Sequence, residues 1–122
     1  MKNLRNELIL SSSSIEGTEV RTLNDEKIGT IKDIMLSPEE GEVVYFVLSV
    51  DTGFLNLDSK YFAIPPTALN FDTRNEVIRF DVDKERLENS PGFDKDNWPT
   101  GPQVEFIEKV NTYYQVAEQH RL

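Results

Sequence analysis

The clearest alternation of side chains along the chain is Glu42–Asp51, EVVYFVLSVD. In an extended chain Val44, Phe46, Leu48 and Val50 fall on one side, and Val43, Tyr45 and Val47 on the other. Both sides are apolar, so the pattern predicts a strand that must be covered on both faces. The run before it, EKIGTIKDIMLS (Glu26–Ser37), is ambiguous. Ile28, Ile31, Ile34 and Met35 recur at helical spacing. The β-branched residues and Gly29 cost a helix stability, however, and Pro38 ends the run. As a strand it does not alternate cleanly, because Ile31 and Met35 share a face with Asp33 while Ile34 and Leu36 share the other. A β-bulge reconciles the two sets, and the reading adopted is a strand.

The same pattern places shorter strands around these two. Thr18–Thr22 alternates and is rich in β-formers. Lys60–Pro65 is a short strand ended by Pro65-Pro66, and Thr67–Phe71 adds another. Asp72–Asn75 reads as a hairpin turn, after which Ile78, Phe80 and Val82 point inward and Val77, Arg79 and Asp81 outward. Ser37–Gly41 is a turn, and Asp83 is placed to cap a short helix over Lys84–Glu88. Asn89–Pro102 is irregular. From Gln103, the positions Val104, Ile107, Val110, Tyr114 and Ala117 predict an amphipathic helix to about Gln119, a candidate cover for the second face of the long strand, the alternative cover being another copy of the protein.

A chain of 122 residues reads as one domain with a substantial core. The expected organisation is a lead-in at 1–14, a barrel with its tail at 15–99 and a helical segment at 100–122. The absence of cysteine excludes disulfides, thiol catalysis and cysteine metal ligands, and fits a reducing cytoplasm. No apolar run approaches a membrane span, and Leu8–Leu10 is too short and too acidic in its flanks for a signal-peptide core. Twenty-two acidic residues against 13 basic ones give a net charge of −9, which repels phosphate backbones. Composition therefore points to a cytoplasmic protein that binds neither nucleic acid nor membrane, and it leaves protein partners open.

Candidate chemistry is thin. His120, the single histidine, reads as a solvated residue at a helix end. Asp94, Asp96 and Glu105 have part of the spacing of a calcium loop, but Pro99 stands where that loop needs glycine. Glu39, Glu40 and Glu42 read as a solvated acidic turn, and Asp81 and Asp83 as capping and solubilising groups. No phosphate-binding glycine loop and no activated nucleophile is present, so no cofactor, metal or catalytic residue is expected. The more telling residues are apolar ones in loops. Phe54, Leu55 and Leu57, with Tyr61, look exposed and form a candidate interaction surface with Val43, Tyr45 and Val47. Phe93 and Trp98 read instead as anchors that pin the tail to the barrel.

About six short strands separated by turn signals suggest a small barrel or roll. The run SSSSIEGTEVRTLNDEKIGTIKDIMLSPEEGEVVYFVLSV resembles the first half of the PRC-barrel domain, with Gly17 before Val20, Gly29 in IGTIKDIML, and Gly41 in the following turn. The second half, GFLNLDSKYFAIPPTAL with its closing strand, is similar as well, and Pro91, Gly92, Phe93 and Trp98 look like the tail of free-standing members. The resemblance covers roughly Ser12–Pro99. It implies a mainly β, six-stranded PRC-type barrel like those of the photosynthetic reaction centre H subunit and the ribosome maturation factor. Relative to these, the expectation is that the chain lacks the membrane helix of the first and the additional N-terminal domain of the second. Family members often carry Pro-Trp where this chain has Pro65-Pro66, which puts a partner contact at that site in doubt. The function implied is a non-enzymatic interaction or assembly adaptor, expected here as a homodimer. The alternatives are an accessory of electron transfer in a photosynthetic or quinone-linked complex and a small-ligand binder.

Overall fold

The structure is a computed structural model, and the residues described are 9–55 and 60–115. Among them the strands are β1 (Glu19–Arg21), β2 (Lys27–Ser37), β3 (Glu42–Val50), β4 (Lys60–Ile64), β5 (Leu69–Asp72), β6 (Val77–Phe80) and β7 (Gly92–Asp94). The helices are α1 (Ser12–Ile15), α2 (Lys84–Glu88) and α3 (Val104–Tyr113), with a 3₁₀ turn at Pro66–Ala68. The strands form one sheet in the order β5-β6-β1-β2-β3-β4-β7. All pairings are antiparallel except β1 with β6. The sheet curls without closing.

Glu26–Ser37 is largely strand, and irregular in the way its side chains require. Opposite β3, Ile31 pairs with Leu48 and Asp33 with Val47, so Lys32 is the extra residue. That bulge reverses the alternation and brings Ile34 onto the face of Ile31, while Ile28, itself the extra residue opposite β1 between Gly29 and Lys27, joins the same apolar cluster. A second irregularity follows on β3. Met35 pairs with Tyr45 and Leu36 with Val43, leaving Val44 as the extra residue.

Gly29 shows why this strand tolerates no side chain at its start. A Cβ at this position would lie 1.9 Å from the Ser49 carbonyl oxygen of β3. Gly92 is similar, with the Tyr61 carbonyl oxygen 2.4 Å from a Cβ. This close approach lets Gly92–Asp94, expected as irregular, pair with β4 as a seventh strand.

Two apolar clusters share β3 and β4. The inner one joins Val20, Ile28, Ile31, Phe46, Leu48, Phe62, Ile64, Ile78, Phe80 and Leu87 among others, and Phe46 and Phe71 meet across it with ring centroids 5.9 Å apart. The outer one joins Tyr45, Val47, Tyr61, Ala63, Phe93 and Val110, flanked by Trp98, Phe106 and Ile107. The doubly apolar β3 is thus covered by the curled sheet on one side and by the tail and α3 on the other. Asp83 caps α2 as expected, its Oδ1 accepting from the Arg86 amide at 2.8 Å. Ser12–Ser14, expected as part of a solvated lead-in, make one helical turn with Ile15. The expected extension of α3 to Gln119 lies beyond the described residues.

Gly29→Ala is expected to destabilise the protein by about 1–3 kcal/mol, because two paired backbones must part to admit a methyl group. Urea unfolding should show a lower midpoint at an unchanged slope.

Candidate functional site

The residues singled out in the sequence fall in three places. Phe54 and Leu55, expected in an exposed loop, are buried, each about 5% accessible. The Asp51 carbonyl accepts from the amides of both, at 3.0 and 3.1 Å, and this turn folds the loop back into the inner cluster. Lys84 lies over the Phe54 ring at 5.6 Å. Leu57 is outside the described residues, as is His120. Tyr45, Val47 and Tyr61 are buried under the tail and α3, which removes them from the free surface. Of the set's described residues, Val43 alone is exposed.

The outer cluster is held by aromatic geometry. The Tyr61 ring packs edge-on to Trp98 and Phe93 at centroid distances of 5.4 and 6.1 Å, and Tyr45 meets Phe106 at 5.6 Å. Phe93 and Trp98 therefore pin the tail down. The Tyr45 hydroxyl donates to Gln103 Oε1 at 2.8 Å, fixing the start of α3. At the other end, Tyr113 donates to the Arg86 carbonyl at 2.5 Å and the Arg86 guanidinium donates to the Tyr113 carbonyl at 3.3 Å. Arg86 also stacks on the rings of Tyr113 and Tyr114. Burial pushes the hydroxyl of Tyr45 up to about 12, and that of Tyr114, also chiefly by burial, to about 12.

Three of the polar side chains that line a cleft beside α2 are committed to the fold. This cleft, of about 950 Å³, runs between Phe54, Phe80 and the start of α2. Asp83 is spent on its cap, Arg86 on the Tyr113 clasp, and the Thr22 hydroxyl on the Glu26 amide at 3.0 Å. Beside the cleft, Arg79 bonds Asp25 at 2.6 Å and lies 3.6 Å from Asp72, while the Arg21 guanidinium donates to the Asp25 carbonyl at 2.6 Å. Asp25 sits at φ +71°, a conformation that an aspartate so anchored tolerates. The hydrogen bond from Arg79 holds its carboxyl below the usual range, and for Asp72 the bonds from Asn75 come first and Arg79 adds to them. Sequence reasoning did not find this knot, since Asp25 and Arg79 are brought together only by the parallel pairing of β1 with β6.

The carboxylates weighed as cation ligands do not converge. Asp94 lies in β7 and Glu105 in the first turn of α3. Among the described residues no group of three or more His, Cys, Asp or Glu could hold a metal ion. No helix among them is long and apolar enough to cross a membrane.

Among the described residues the exposed large apolar side chains are Ile9, Leu10, Leu23, Leu36, Val43 and Val104, and of these Leu36 and Val43 face each other across two strands. Leu36, 59% accessible, pairs across the β2–β3 hairpin with Val43, 37% accessible. The face assigned to Val43 from simple alternation is corrected by the bulge. Val44 packs with Tyr45 in the outer cluster, and Val43 joins Leu36 on the opposite face, where Ile34 pairs with Phe46.

The family model of the PRC-barrel domain matches residues 8–87. Among solved structures, a Pseudomonas aeruginosa chain assigned as a 16S ribosomal RNA processing protein, RimM, aligns at 20% identity with a TM-score of 0.47, over 66% of this chain and 49% of that one. The present chain thus spans about half the length of that relative. No curated protein matches the sequence.

The outer cluster yields two expected outcomes. Val110→Asp places an unpaired charge at a buried position and should release α3. The emission of Trp98, the single tryptophan, should then shift to the red in the folded protein, and the β3 and β4 amides should lose protection against exchange. The second outcome concerns pH. A tyrosine with a raised pKa in the folded state contributes full stability below its unfolded value, about 10. That contribution is lost as pH rises through the folded value, about 12. Stability should therefore fall between these limits, tyrosinate absorbance should appear late for the Tyr45 hydroxyl, and Tyr45→Phe should flatten the fall.

Proposed function

The chain belongs to the PRC-barrel family, and on that premise we propose that it is a non-enzymatic interaction module that holds a protein partner. One observation carries the reading. The apolar side chains of Leu36 and Val43, paired at the end of the longest hairpin, stand in solvent, whereas Thr22, Asp83 and Arg86 of the cleft beside α2 are engaged in holding helices and turns. An interaction module needs apolar anchors free to meet a surface.

The reading requires no second copy of the chain. The apolar face that made a homodimer attractive is covered by α3 from the same chain. The net charge of −9 opposes close approach of two copies and favours a partner of opposite charge.

The test is photo-crosslinking in the source organism. A photoreactive residue is placed, in separate full-length chains, at three exposed positions: Leu36, Glu88 and Lys109. A discrete adduct with one protein at any of these positions is the expected result. A diffuse background at all of them, with the protein abundant and folded, would defeat the reading.

A further inference from the structure

We infer that the end of the β2–β3 hairpin is the docking element, and that its partner is a protein surface carrying an apolar depression rimmed by lysine or arginine. The inference rests on the interaction-module reading above and assigns it a place and a chemistry.

The geometry begins with the two bulges. The extra residue Lys32 brings Ile34 onto the inner face of the sheet, where it pairs with Phe46. Leu36 lies two residues further along the same face, and the extra residue Val44 brings Val43 opposite it. The inner apolar face therefore does not stop at the rim of the barrel. It runs from buried Phe46 through half-buried Ile34 to exposed Leu36 and Val43, and ends as an uncovered ledge. Without the second bulge Val43 would face the other way, and the ledge would hold a single side chain.

The tip is built to keep its shape. The Gly41 amide donates to the Ser37 carbonyl at 2.7 Å and the Glu40 amide to the Ser37 hydroxyl at 3.3 Å, with Gly41 at φ +69°. A preformed tip loses little entropy on binding. Pro38 adds stiffness to the same turn.

Charge selects the occupant. Exposed Glu39, Glu40 and Glu42 stand in and beside the turn that joins Leu36 to Val43. Two copies meeting tip to tip would bring six carboxylates together, so a second copy is a poor occupant. Basic residues around an apolar depression would match both features, the aliphatic pair supplying the anchor and the glutamates the steering.

The experiment extends the crosslinking to the purified pair. The protein captured at position 36 is identified, the attached segment is located, and its affinity for the full chain is measured. Leu36→Ser with Val43→Ser alters only exposed side chains. Unchanged Trp98 emission and a sharp unfolding transition establish that the variant is folded. The attached segment should combine apolar residues with Lys or Arg, and the double variant should bind about tenfold more weakly or worse, the scale of a lost anchor. Replacing Glu39, Glu40 and Glu42 by Gln should slow association and flatten its salt dependence. An adduct at Glu88 or Lys109 but none at position 36 would overturn the docking site while leaving the module reading intact. An adduct with a second copy of the chain, a partner segment without basic residues, or affinity unchanged in the double variant would overturn it as well. No adduct at any position would remove both.

Discussion

A strand with two apolar faces governs this molecule. Water cannot be kept from both sides of β3 by a curled sheet alone, because a sheet curled around one face leaves the other outside. The chain meets that constraint with two structures of different kind. The inner face is enclosed by the curl of its own sheet, with Phe46 and Phe71 touching across it. The outer face is covered by a segment with little regular structure of its own, the tail with Phe93 and Trp98, and by one short helix. Each cover relies on close backbone approach at a glycine, Gly29 against Ser49 for the sheet and Gly92 against Tyr61 for the tail.

Much of this was legible in the sequence. Alternation gave both faces of β3 from Tyr45 to Val50, glycine and proline punctuation gave the turns, and β-branched residues together with the family resemblance favoured a strand for β2 against its helical spacing. The cover by α3 was legible because a two-faced strand demands a cover and an amphipathic stretch lay downstream. The short helix α2 was legible from Asp83, whose cap geometry is local.

The features that escaped reading depend on pairing between distant segments. Val43 was placed with Tyr45 because alternation alone ignores an extra residue, and the position of that residue is decided by register against β2. Phe54 and Leu55 looked exposed because a polar loop surrounds them, yet the bonds at Asp51 turn both inward. The knot of Asp25, Arg21, Arg79 and Asp72 joins residues more than fifty positions apart in part, and no local pattern announces it. The exposed Leu36 was read as part of a strand face without asking where the barrel ends. The candidate surface drawn from the sequence was therefore mostly core, and the hairpin end was found only once burial was known.

The family match ends at residue 87, but the outer cluster does not respect that boundary. Tyr45, Val47, Tyr61 and Ala63 lie inside the match, and Phe93, Phe106 and Val110 outside it. One packed layer is thus made half from the shared domain and half from the segment beyond it. In evolutionary terms the two halves are tied together. A relative that keeps the barrel but carries another tail must change the outward residues of β3 and β4 with it, so the character of those positions should foretell the kind of segment attached after the domain.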